Sequence, residues 1–284
     1  IRDEFEFSGL SVVCTNPQTD SYADYRCDFE LWEVDSGFLM YIGCNVTYSD
    51  YFDDGTLRTF LTYGIDRQSL VDNNYGGLAL PTTLPISPMS PYYSKSLAAT
   101  YDYDEMRFID AASKLRVPTN DKGVTRTLKL LVNSDDSARL RCARNIAATL
   151  TELGLACETV ESPTSVYEAR LQAANYDIYL GITKLPTTAD LSEFYRPWGE
   201  MSWGGLANET IYNMVNQSLA DRGNYYNLHK LVADDGRIIP VMAGYYAIYA
   251  KRGVLSDLNP ARDNVFYYTL GKTMESSKVA TQFS

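Results

Sequence analysis

"TLKLLVNSDDSARLRCARNIAATLTELGLACETVESPTSVYEARLQAANYDIYLGI", residues 127–182, decides the fold. It opens on a strand-like run, "TLKLLVN" (127–133), rich in Leu and Val. Asp135 or Asp136 then offers a cap for a helix in which Ala143, Ile146, Ala147, Leu150 and Leu153 repeat on one face. Gly154 fits the position just past a helix end, where a left-handed residue closes the last turn. "LACETV" (155–160) reads as a second strand. Ser165-x-x-Glu168 has capping-box spacing and opens the helix "VYEARLQAA" (166–174). "YDIYLGI" (176–182) is a third strand. Strand, helix, strand, helix and strand with short connections predict right-handed crossovers and a parallel sheet. The fold class is therefore α/β, with a βαβαβ core.

Upstream, "LSVVC" (10–14), "CDFELWEV" (27–34) and "FLMYIGCNV" (38–46) read as strands, with turn signals at Asn16-Pro17 and Ser36-Gly37. Asp53-Asp54-Gly55 opens a helix carrying Leu57, Phe60, Leu61 and Ile65. Asp66 caps a second short helix with Leu70 and Val71 inward and Gly76-Gly77 as its stop. A Pro/Ser/Tyr-rich loop follows, and helix resumes over Tyr103–Leu115. Downstream, 188–195, 207–223 and 225–236 read as helices. "RIIPVMAGYYAIYAKRG" (237–253) reads as strand with Pro240 at an edge or bend.

The chain has 284 residues, enough for one large domain or two ordinary ones, and 45% are hydrophobic, enough for a sizeable core. A formal charge of -11 argues against nucleic acid as a partner. Twenty-three tyrosines and three tryptophans suit recognition clefts as well as strand packing. No stretch approaches the ~20 apolar residues of a membrane helix. The chain starts at Ile1 with neither Met nor a signal-peptide pattern, so a processed or truncated form is expected. Cysteines at 14, 27, 44, 142 and 157 form no C-x-x-C pair, and Cys142 and Cys157 read as small buried hydrophobes.

Little in the sequence points to catalysis. The one histidine, His229, lies in a predicted helix beside Lys230 and reads as a surface residue. No G-x-S-x-G elbow, G-x-G-x-x-G fingerprint or phosphate-binding loop occurs. The pairs Asp53-Asp54, Asp135-Asp136 and Asp234-Asp235 sit at predicted helix ends, where caps belong. Sequons begin at Asn45, Asn208 and Asn216, and matter only in a cell that glycosylates them. Binding is favoured over catalysis, with no cofactor and no metal.

An ordered set of segments resembles the C-terminal part of family 5 extracellular solute-binding proteins, the oligopeptide and dipeptide-binding components of ABC importers. "YIGCNVTYSDYFDDGTLRTFLTYGIDRQSLVDNNYGGLALPTTLPISPMSPYY" (41–93) is similar to the family's strand ending in Asn, its "Y-A-I-D-R" helix and its "G-x-A-x-P" loop. "YDYDEMRFIDAASKL" (101–115), the 127–182 stretch and "LHKLVADDGRIIPVMAGY" (228–245) follow in family order. The resemblance implies a type II periplasmic-binding-protein-like lobe. Residues 1–47 would be the strand-rich end of lobe I with the hinge, 48–243 lobe II, and 244–284 the return hinge strands and tail. Most of lobe I would be missing.

Three departures stand out. Phe60 and Gly64 occupy places where the family usually has Ala. Ile182, Thr183, Lys184, Leu185 and Pro186 stand where many members have Gly-Trp-x-x-Asp, whose Asp can hold a peptide's N-terminal amine. Lys184 would repel an ammonium group, so an anionic or differently anchored ligand is expected. Thr183 and Lys184, at the C-terminal end of a parallel strand, are where ligand groups sit in α/β sheets. The resemblance adds Trp198, Trp203 and Gly204 as ligand-binding residues.

It also implies a monomer outside the cytoplasmic membrane, in contact with the membrane only through a lipid anchor upstream of Ile1. Its partners would be a peptide or other small solute and the ABC permease subunits, with hinge closure burying the ligand. The alternative is a sensory or protein-docking module built on the same fold, which neighbouring genes would distinguish. An α/β hydrolase is disfavoured by the single His.

Overall fold

A computed structural model of the chain describes residues 2–7, 9–17, 29–53, 55–253 and 260–263. Its elements, in chain order, begin with α1 (Arg2–Phe7), β1 (Val12–Thr15), β2 (Phe29–Cys44), α2 (Thr56–Phe60), α3 (Arg67–Tyr75) and β3 (Leu80–Pro81). There follow α4 (Lys95–Ala99), α5 (Glu105–Lys114), β4 (Leu128–Asn133), α6 (Ser137–Glu152), β5 (Cys157–Ser162), α7 (Thr164–Gln172) and β6 (Ile178–Lys184). The last are α8 (Ser192–Tyr195), α9 (Glu209–Ala220), α10 (Tyr225–Asp235) and β7 (Ile238–Lys251). The chain divides into two compact units, residues 1–38 with 244–284 and residues 39–243.

In the first unit, β1 pairs antiparallel with β7, Val13 opposite Tyr249. Val34, Ile248 and Ala250 form a small core, with Trp32 packed on it. The sequence reads two strands separated by a turn at Ser36-Gly37, whereas the structure makes one strand of 29–44. The side chains of Asp35 and Ser36 accept from the Gly37 and Phe38 amides, and Gly37 takes a φ of 78°. A glycine kink thus replaces a turn, with local side chains taking up the Gly37 and Phe38 N–H groups. Cys27 and the residues beyond 263 lie outside the described ones.

In the second unit, β4 pairs parallel with β5 and with β6, as the alternating pattern requires. The inner residues of β2 lie next to β6 and those of β7 next to β2. Gly43 lies under the Tyr179 ring and Gly181 under that of Tyr41, so β2 and β6 run antiparallel. The two tyrosines meet edge to face at 5.8 Å, and Phe194 meets Tyr41 at 5.0 Å.

On α6, Asp136 accepts from the Ala138 and Arg139 amides, and Ala143, Ile146, Ala147, Leu150 and Leu153 are all buried. Gly154 closes the helix at a φ of 98°. Cys142 is buried, but Cys157 only half so. The capping box is a correction: α7 starts at Thr164 after Pro163, and Ser165 and Glu168 are exposed. Asp135 reaches over from the end of β4 to take the Thr164 N–H and hydroxyl instead, at 2.9 and 2.7 Å.

Asp66 caps α3 through the Ser69 amide. Arg67 is buried and donates to the carbonyls of Pro240, Thr62 and Ile65 and to the Thr62 hydroxyl, and burial pushes its pKa down to about 10. Pro240 lies inside β7, two residues before the β3 pairing, and its carbonyl accepts from Arg67 Nε. The loop behind α3 is no solvent excursion. Leu84 and Ile86 enter the core, and β3 pairs with β7.

His229 is the second correction, at 1% exposure. The inward stripe of α10 runs Tyr225, Leu228, His229 and Val232, which is helical spacing with His in the middle.

Candidate functional site

The carboxyl ends of β4 and β5 are tied together by short polar links. Asn133 donates to the Thr164 hydroxyl at 3.0 Å, and Ser134 N–H donates to the Ser162 carbonyl. Those Thr164 bonds hold the Asp135 carboxyl below the usual range. The register Leu131↔Tyr179, carried two residues on, puts the last residue of β4 level with Gly181. Ile182, Thr183 and Lys184 therefore overhang β4, with Lys184 exposed and Thr183 half-buried. Leu185, buried beneath them, anchors the overhang.

Trp198, Trp203 and Gly204 lie at the other end of β6. The Gly204 carbonyl accepts from Thr47 N, and a Cβ on Gly204 would sit 2.9 Å from the Asn45 Cα. Asn45 N–H donates to Asp177, just before β6 begins, and its side-chain amide donates to Ala174 and Tyr176. Five strand residues, Ile178 to Ile182, thus separate the two groups, about 20 Å. The structure brings three of the five expected residues together and leaves Thr183 and Lys184 apart from them.

Trp198, Trp203 and Gly204 line a depression of 610 Å³ with Tyr48, Ala174 and Pro197 among the other lining residues. Trp198 is 96% exposed and Tyr48 71%, while Trp203 is half-buried against the core. Trp198 stands in a tight turn: Gly199 N–H donates to Arg196 O at 3.1 Å, Pro197 fills the second position and Trp198 takes a φ of 61°. That is the form of a type II turn, whose third position normally needs Gly or Asn.

A second, polar depression of 570 Å³ adjoins the first and shares Thr47, Gly205 and Ala207 with it. Arg58 and Arg237 line it. Arg237 donates to the Gly205 and Ala207 carbonyls and pairs with Asp235 at 3.1 Å. Arg58 comes only within 3.9 Å of Asp235, and its buried Nε has no partner among the described residues. Gly236 is what allows this: a Cβ there would strike the Arg58 carbonyl at 2.2 Å.

Asn45, Arg58 and Arg237 were not singled out by sequence. In sequence Asn45 reads only as a sequon and a strand end, yet it is fully buried and joins β2 to the α7–β6 connection. Among the described residues no group of three His, Cys, Asp or Glu could hold a metal ion, and no helix is long and apolar enough to cross a membrane.

The sequence profile described as "Bacterial extracellular solute-binding proteins, family 5 Middle" matches residues 12–205. No curated protein matches the chain. Among solved structures, the oligopeptide-binding protein AppA from Bacillus subtilis, in complex with a nonapeptide, is 16% identical with a TM-score of 0.68, over 94% of this chain and 56% of that one. The ABC transporter substrate-binding protein CtaP from Listeria monocytogenes is 14% identical with a TM-score of 0.72, over 92% and 55%. The binding protein AgaA from A. tumefaciens R10, in complex with agropinic acid, is 16% identical with a TM-score of 0.66, over 93% and 55%. The chain spans about half the length of each of these structures. At such identities the likeness shows a shared fold, the type II arrangement with a mixed sheet.

Proposed function

Because the chain belongs to the bacterial extracellular solute-binding proteins of family 5, we propose that it captures a peptide or other small solute for an ABC importer and presents it to the permease outside the cytoplasmic membrane. The observation that carries this reading is the family match over residues 12–205. Within that reading, solute meets the second unit at the overhanging end of β6, because ligands in α/β sheets sit beyond the carboxyl ends of the strands. Thr183 supplies a hydroxyl there and Lys184 an ammonium.

The neighbours named above hold a nonapeptide in one case and agropinic acid in another, so the fold does not choose the ligand. The Lys184 charge does discriminate. An ammonium at this position favours a carboxylate or other anionic group and disfavours the free amine of a peptide. Peptide import through N-terminal amine recognition is thus the weaker form of the proposal, and capture of an acidic solute the stronger.

Thermal-shift screening of the chain against acidic peptides, basic peptides and sugar acids tests it. A raised melting temperature with acidic members is expected. Stabilisation by basic peptides alone would overturn the acidic-solute form, and no response to any member would overturn solute capture by this chain.

A further inference from the structure

We propose that the Trp198 depression and the adjoining Arg58–Arg237 depression form one recognition site for a small solute carrying a carboxylate on an apolar body. It lies at the amino end of β6, away from the overhang assigned to solute capture.

Trp198 is displayed by its backbone. Glu193 holds the turn by accepting from Arg196 at 2.8 Å and from the Glu200 amide at 2.9 Å, while its carbonyl takes the Met201 N–H. Gly199 leaves no room for adjustment, since a Cβ there would lie 2.2 Å from the Glu193 carbonyl. A non-glycine residue at this φ carries strain, and the side chain gains little burial in return at 96% exposure. An indole set in water by a fixed backbone turn, at the rim of a depression also lined by Trp203 and Gly204, is a platform for an apolar group.

The polar neighbour supplies the second half of the recognition. Two guanidinium groups share one carboxylate, Asp235, and Arg58, the more loosely held at 3.9 Å, lines the depression with its side chain partly exposed. Asp53, on the exposed rim, keeps the field modest, so affinity must come from directed hydrogen bonds rather than bulk charge. The Arg fork matches a planar carboxylate with two parallel N–H donors. Thr47, Gly205 and Ala207 form the common wall of both depressions, so one ligand of amino-acid size can place its head on Arg58 and its body against Trp198.

N-acetylphenylalanine is the probe, followed by the indole N–H signals of the three tryptophans in 1H–15N spectra of the chain. The Trp198 and Trp203 signals should shift to saturation and that of Trp32 should not. N-acetylphenylalaninamide, lacking the charge, should bind roughly tenfold more weakly or worse. Arg58→Gln should bring the acid down to the affinity of the amide, and Arg58→Lys should recover part of the loss. Trp198→Gly, which suits the turn, should abolish the Trp203 shift while the spectrum stays folded. Equal binding of acid and amide, unchanged binding in Arg58→Gln or Trp198→Gly, or no shift of Trp198 and Trp203 would overturn the proposal.

Discussion

The edge of the Phe108 ring lies 2.6 Å from where a Cβ on Gly64 would sit, and the Phe60 ring meets the same Phe108 edge to face at 5.4 Å. Phe60 and Gly64 thus act on the same ring. The absence of a Cβ at 64 makes room for Phe108, which is fully buried, and the Phe60 ring packs against it. Gly64→Ala should therefore overpack the site and cost about 1–3 kcal/mol, read as a lower urea midpoint with unchanged slope. Phe108→Leu should cost less in the Gly64→Ala chain than in the parent; strictly additive losses would separate the two positions.

His229 predicts a specific acid sensitivity. Burial pushes its pKa down from 6.5 to about 4. Neither ring nitrogen has a partner among the described residues, and Tyr225 lies beside the ring at 5.7 Å. The native state keeps the imidazole neutral where the unfolded chain binds a proton, so stability is full above pH 6.5 and is lost as pH falls toward 4. At about 1.4 kcal/mol per pH unit the loss reaches roughly 3 kcal/mol. As the only histidine in the chain, it gives a single imidazole signal to titrate, and a midpoint near 6.5 in the folded protein would contradict the burial argument. His229→Leu should flatten the stability profile between these limits.

Asp177 organises the amino end of β6. Its carboxylate accepts from the Ser49 hydroxyl at 2.5 Å, from Lys129 N–H at 2.8 Å and from Arg126 at 3.3 Å, and it is nearly fully buried. Asp177→Asn keeps the shape but turns one acceptor into a donor facing donors, at a cost of roughly 2–4 kcal/mol. Thermal unfolding checks this, and a shift of only a degree or so would show that water replaces the lost partners.

Trp198→Gly separates display from architecture. Glycine adopts the positive φ without strain, so the variant should unfold later by up to about 1 kcal/mol. A less stable variant would mean that the indole supports the turn by packing, contrary to its exposure.

Lys184→Glu should invert the charge preference at the β6 overhang. Thermal stabilisation by tri-glutamate should fall and that by tri-lysine should rise. Identical responses in both proteins would place the solute elsewhere.

Much of the second unit can be read from sequence because its signals are local. The α6 stripe, the Gly154 close and the Asp66 cap each depend on residues within one or two helical turns. The errors arise where distant or competing partners decide. Asp135 displaces Ser165 as the partner at the start of α7, and around Ser36 and Asp35 two expected strands are one kinked strand. Residue type alone makes His229 a surface residue, whereas its spacing with Tyr225, Leu228 and Val232 places it inward. The grouping of the aromatic residues was out of reach, since it is set by Asn45 and Thr47 bonding to segments more than 100 residues later.

The crossing of Tyr41 and Tyr179 over each other's glycines also bears on how the chain reaches this fold. Each ring fits only where the opposite strand has no Cβ. A slip of two residues, which would keep every side chain on its own face, would set tyrosine against tyrosine in one direction and glycine against glycine in the other. The pair therefore works as a register key between strands whose partners are 138 residues apart. Contacts of that separation close late, after the local βαβ pieces have formed. A chain carrying alanine at Gly43 or Gly181 should accordingly collapse at the normal rate and stall before its final pairing.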